Sequence, residues 1–194
     1  MYEGAFERTA DPAETPFSVD EAKSWVRQLL SVDDSDITML IKAVTADYES
    51  KTGEALVEAE YTWKLDCLPK GGILRPPMAP LVSVTSFSYV DQDGATQAFA
   101  NSNFTVDTTS MPGRIALAYE KDWPDYRTGI INPITIVFRA GYNGAANVPK
   151  DAQPALRLLL AHWYKNREAV LVGTIGQELP LTTREIINAR RLDY

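Results

Sequence analysis

The sequence predicts an α+β fold. It reads as a helical bundle of two N-terminal helices, one long C-terminal helix and one short terminal helix, with an inserted antiparallel β-sandwich or small barrel. Two switches of hydrophobic period carry this reading: apolar residues recur at helical spacing up to Gly53, alternate strictly from Val57, and return to helical spacing after "AGYNGAANVP". A chain of 194 residues that is 45% hydrophobic can bury one good core plus an inserted unit without disulfides. Helices that flank the strands in sequence must meet each other to bury their stripes, which makes the β unit an insertion.

Residues 1–17 are polar and proline-punctuated, the composition of a flexible arm. Residues 18–56 are expected to form a helical hairpin. Ser18 with Glu21 makes a capping box, Phe17 can staple onto Ala22, and Val19, Val26, Leu29 and Leu30 extend the apolar stripe. A short acidic link caps the second helix at Asp34 or Ser35. Ile37, Leu40, Ile41, Val44 and Tyr48 then repeat until Gly53.

Residues 57–146 form the inserted β unit. Val57, Ala59, Tyr61, Trp63 and Leu65 alternate with Glu58, Glu60, Thr62, Lys64 and Asp66, the pattern of a strand with one wet face. Further strands are expected at residues 81–90, 96–99, 104–106, 114–119 and 134–139, with turns at Asp93-Gly94 and Met111-Pro112-Gly113. Residues 147–194 complete the helical domain. Pro154 fits only a first helical turn, so the long helix starts near Asp151 and buries Leu156, Leu159, Leu160 and Trp163. The short helix starts at Thr182 or Thr183 and runs through Arg184, Ile187 and Arg190.

Chemistry-bearing motifs are scarce. The single cysteine, Cys67, has no CxxC partner, which favours a reducing compartment. The N-terminus reads as no signal peptide, and no stretch approaches the ~18 apolar residues of a membrane span. The glycines of "GYNG" and "GTIG" lack the spacing of a phosphate cradle. His162, the only histidine, falls beside Leu158 at the edge of a helical stripe, the place of a packed rather than a catalytic histidine. Asp91 and Asp93 flank a hairpin turn, and Asp33, Asp34 and Asp36 suit helix capping better than a calcium loop. No catalytic, cofactor-binding or metal-ligating residue is assigned. A net charge of −7 argues against broad wrapping of nucleic acid.

Four colinear segments carry a resemblance: "DDSDITMLIKAVTADYESKTGEAL", "ILRPPMAPLVSVTSFSYVDQDG", "GRIALAYEKDWP" followed by "ITIVFRAGY", and "VPKDAQPALRLLLAHWYKNREAVLVG" with "ELPL". Together they look like the head-tail connector family of tailed bacteriophages and prophages, also called adaptor or head-completion proteins. The resemblance spans roughly Ser18 to Leu181; the acidic N-terminal arm is longer than the family pattern and the C-terminal tail departs from it. It implies a structural virion protein at the neck, assembled in the host cytoplasm into a homo-oligomeric ring, commonly of twelve subunits. Such a ring joins the portal protein to a tail or stopper protein and lets DNA pass through its channel without specific binding. It uses no catalysis, cofactor or membrane.

Within that frame, the end of the long helix would meet a neighbouring subunit through Trp163, Tyr164, Asn166, Arg167 and Glu168, with charges setting register. The terminal helix would dock on the portal through Arg184, Ile187, Arg190 and Arg191, basic residues selecting an acidic partner. Two other classes compete. A ligand- or carbohydrate-binding β module would stack its ligand on aromatics such as Tyr89, Trp123 and Tyr126, with "KDWPDYRTG" as the candidate loop, and a hydrolase would need two paired carboxylates that no spacing selects.

Overall fold

The computed structural model describes residues 4–27, 33–70, 72–166 and 181–192. It is α+β and divides into two compact units. One combines residues 4–13 with Glu58–Gly141 and residue 192; the other combines Glu14–Val57 with Tyr142–Arg191.

The helical unit contains α1 (Val19–Val26), α2 (Asp34–Thr52), α3 (Ala152–Lys165) and α4 (Leu181–Arg190). The capping box forms as the sequence specifies. Glu21 donates its backbone N–H to the Ser18 hydroxyl at 3.2 Å, and Ser18 donates its own to the Glu21 carboxylate at 2.8 Å. Ile37, Ile41, Val44 and Tyr48, one face of α2, are fully buried. They meet Ala155, Leu156, Leu159 and Leu160 of α3, together with Phe17, Ala22 and Ile187. Gly53 stops α2 in the left-handed region at φ 74° and donates to the Glu49 carbonyl at 2.9 Å. Pro154 occupies the first turn of α3, where its missing N–H leaves no bond unmade.

Two local expectations change here. The residue that caps α2 is Asp33, and its side chain makes no cap bond; it accepts from the Tyr164 hydroxyl at 2.8 Å instead. Val57 belongs to this helical core and not to the sheet. Its parity matches the following strand, which is why alternation alone included it.

Among the described residues the β unit holds eight strands: β1 (Gly4–Ala10), β2 (Ala59–Leu65), β3 (Ile73–Leu74), β4 (Leu81–Val90), β5 (Thr96–Ala98), β6 (Phe104–Asp107), β7 (Arg114–Leu117) and β8 (Ile134–Ala140). They form a five-stranded antiparallel sheet in the order β1-β2-β8-β4-β5 and a three-stranded one in the order β3-β7-β6. Of the two expected forms, a sandwich or a small barrel, the barrel does not form among the described residues: β1 and β5 are the two edges of the larger sheet and do not pair. Strict alternation in β2 buries Ala59, Tyr61, Trp63 and Leu65, in register with Ala140, Phe138, Ile136 and Ile134 of β8. Tyr61 stacks on Phe138 with centroids 5.5 Å apart.

Part of the stretch expected to be a flexible arm is an ordered strand. β1 pairs with β2 along its length, Thr9 and Thr62 share a hydroxyl bond of 2.7 Å, and the Arg8 guanidinium lies 5.5 Å from the Tyr61 ring centroid while bonding its hydroxyl at 3.1 Å. β1 buries almost no apolar side chain. A main-chain ladder, which leaves no trace in hydropathy, holds it.

The β6–β7 turn is organised by Asp107. Its carboxylate accepts from the Thr109 hydroxyl and the Ser110 hydroxyl at 2.6 Å each and from Arg114 Nε and Nη2 at 2.9 and 2.6 Å. The Ser110 and Thr109 hydroxyls, then Arg114, hold this carboxyl far below the usual range. A depressed folded-state value means stability that is present above the unfolded value of about 3.9 and lost as pH falls. Asp107→Asn is therefore expected to lower stability most at neutral pH and to flatten the acid limb of the stability–pH profile, its gap to the wild type narrowing as pH falls below about 3.9. Urea midpoints measured between neutral pH and the acid transition check this.

Candidate functional site

In the helical unit Glu54, which follows the Gly53 helix stop, has a completely buried carboxylate. It accepts from the Tyr48 hydroxyl at 3.2 Å, the Tyr142 hydroxyl at 2.6 Å and Arg190 Nε at 2.8 Å. Arg190 Nη2 supplies a fourth, short contact, completing a two-pronged guanidinium–carboxylate pair. Arg190 Nη1 also reaches Asp151 at 2.6 Å. Burial pushes both the Tyr48 and Tyr142 phenols well above their usual range, reinforced by the adjacent Glu54 carboxylate. Hydrogen bonding to Glu54 raises Arg190 further.

Four donors occupy the four acceptor directions of this carboxylate, so no lone pair remains for proton transfer. The node fastens the end of α4 to the start of α3 and to the α2 stop. Sequence reasoning missed Glu54, Tyr142 and Asp151. A lone charge beside the apolar run Ala55-Leu56-Val57 signals that some partner must exist, without saying which.

The structure separates the residues assigned to portal docking. Ile187 is buried in the helical core, 5% exposed, and Arg190 is turned onto Glu54 and Asp151. Both are internal, because the apolar face of α4 and the residue one turn beyond Ile187 point the same way. Arg184 and Arg191 are exposed and have no ion-pair partner among the described residues. They line an open groove of about 330 Å³ with Ser50 and Lys51 from the end of α2 and Ile187 and Asn188 from α4. Lys51 also pairs with Asp47 at 2.7 Å.

Of the residues assigned to a subunit contact, Trp163 and Tyr164 pack half-buried against the helical core, and Asn166 ends α3 by donating its side-chain amide to the His162 carbonyl at 2.8 Å. Arg167 and Glu168 lie outside the described residues. His162 is half-buried at the edge of α3, where the helical spacing puts it.

The aromatic loop of the β unit also turns inward. Trp123 packs with Phe87 and Phe99 and donates its indole N–H to the Pro69 carbonyl at 3.2 Å, and the Tyr126 hydroxyl accepts from the Leu68 N–H at 3.2 Å. Asp91 acts as a turn residue, accepting from the Asp93 and Ala95 N–H groups at 3.1 and 2.8 Å. Among the described residues no cluster of three or more His, Cys, Asp or Glu side chains could hold a metal ion. None of their helices is long and apolar enough to cross a membrane.

No family model matches the chain, and no curated protein matches it. Solved structures do. A chain in the virion of a native gene transfer agent particle is 22% identical with a TM-score of 0.80, covering 97% of this chain and 96% of that one. A chain in the neck of an empty gene transfer agent particle, computed with C6 symmetry, gives 20% identity and a TM-score of 0.79 over 98% and 96%. A chain in the neck of the native particle, computed with C12 symmetry, gives 21% and 0.76 over 98% and 96%. Over nearly its whole length, this chain shares the fold of chains found in those gene transfer agent particles.

Proposed function

We propose that the protein is a structural component of the neck of a tailed, phage-like particle, where copies of it form a ring between the portal and the tail. The observation that carries this is the end-to-end fold likeness to chains in necks computed with C6 and C12 symmetry. The ring, of twelve copies by the resemblance noted in the sequence, extends the DNA channel and completes the head. Catalysis, cofactors and metals have no part in it, in keeping with a central carboxylate whose acceptor sites are all occupied. Arg167 and Glu168, beyond the end of α3, set register against a neighbouring copy. The exposed Arg184 and Arg191 of the α4 region meet the portal. A subunit of charge −7, copied around a ring, gives a lumen past which DNA slides without adhering.

Light scattering and electron microscopy of the protein, alone and mixed with portal-bearing capsids, test the reading. A ring many times the 21.5 kDa chain mass is expected in solution or on the capsid vertex, with little retention on a duplex-DNA column at physiological salt. A species that stays monomeric and unbound in both settings, or tight salt-sensitive DNA binding, overturns it.

A further inference from the structure

We propose that the groove between the last turn of α2 and α4 is a receptor for an acidic polypeptide segment whose carboxylates stand about 10 Å apart. The inference rests on the α4 docking role given above and specifies the partner's chemistry. Arg184 and Arg191 are seven residues apart, and the Arg191 N–H, just past the end of α4, turns back to the Asn188 carbonyl at 3.4 Å. Seven residues return to nearly the same helix face after two turns, a rise of about 10 Å. Ile187 and Asn188, between the two arginines in sequence, line the groove with them, and Ser50 and Lys51 line it from α2.

The groove therefore gathers the exposed Arg184, Arg191 and Lys51 around the polar Ser50 and Asn188. Guanidinium forks match carboxylates in a two-pronged geometry. A polyphosphate backbone, by contrast, must bring many charges against a protein of net charge −7, whereas a short acidic segment meets only the local cations. A segment in the polyproline II conformation, with three residues per turn and about 3.1 Å per residue, puts carboxylates three residues apart on one face and spans the distance.

Fluorescence anisotropy with two labelled peptides of one composition tests this. One carries its glutamates three residues apart, the other side by side, and a labelled short DNA duplex serves as a third probe. The spaced peptide is expected to bind about tenfold tighter than the adjacent one, and to lose about tenfold on Arg184→Gln or Arg191→Gln. Both positions are exposed, and the two-peptide comparison on the unaltered protein stands without them. Equal binding of the two peptides, wild-type binding by both variants, or tighter binding of the duplex overturns the proposal. Failure of ring formation in light scattering would instead count against the neck reading and leave this binding result intact.

Discussion

Arg190→Ala is expected to destabilise the helical unit by about 3–5 kcal/mol, the cost of leaving a buried carboxylate without its cation. Glu54 is fully buried and receives two of its four bonds from Arg190, so the variant leaves Tyr48 and Tyr142 alone to solvate that charge. The Asp151 bond contributes little to this figure, since that carboxylate is 63% exposed. Arg190→Lys should recover only part of the loss, because an ammonium group cannot reproduce the planar fork. Arg191→Ala, one residue away but exposed and unpaired among the described residues, should shift stability by no more than about 0.5 kcal/mol. Urea unfolding followed by far-ultraviolet circular dichroism compares the three. A loss below about 1 kcal/mol for Arg190→Ala would mean that the node is dispensable. The contrast also governs any docking experiment: a defect in Arg190→Glu would report a broken fold, and only Arg184 and Arg191 can report on the surface.

The features legible in the sequence are those in which side chains repeat with the backbone period. Ile37, Ile41, Val44 and Tyr48 mark the buried face of α2, and the alternation through Tyr61, Trp63 and Leu65 marks β2, because each core contact depends on a residue type at a fixed spacing. β1 and the two-residue β3 escaped for the opposite reason. One is held by an edge ladder with its side chains in solvent, and the other is too short to show a period. The Glu54 node joins residues separated by up to 136 positions, and the charge pattern of α4 alone cannot distinguish an arginine that reaches inward from its exposed neighbours. Position on the helix, and not residue type, separates the exposed Arg184 and Arg191 from Ile187 and Arg190, which face the helical unit's own core and carboxylates.

Phe87→Ala is expected to cost the β unit about 4 kcal/mol. Phe87 is 2% exposed on β4, and its ring centroid lies 5.1 Å from Phe99, 5.8 Å from Phe104 and 5.9 Å from Trp123. These four rings come from the larger sheet, the segment after β5, the three-stranded sheet and the 121–133 loop, so one side chain joins four segments of the unit, and the Phe99 N–H also bonds the Phe87 carbonyl at 2.7 Å. Truncation removes the tilted and edge contacts along with the buried area, and neighbouring rings held by their own strands cannot collapse fully into the space. Phe87→Leu should restore roughly half, since it refills volume without the ring geometry. Near-ultraviolet circular dichroism should weaken before far-ultraviolet ellipticity changes, because Trp123 loses its fixed neighbours while the β4–β8 ladder persists. Should Phe87→Ala unfold at the wild-type urea midpoint with its near-ultraviolet bands intact, the aromatic cluster would be decoration on a sheet that stands by itself. Trp123 would then be free to serve as a ligand-stacking surface, and the carbohydrate-binding reading would regain the support that its inward packing now removes.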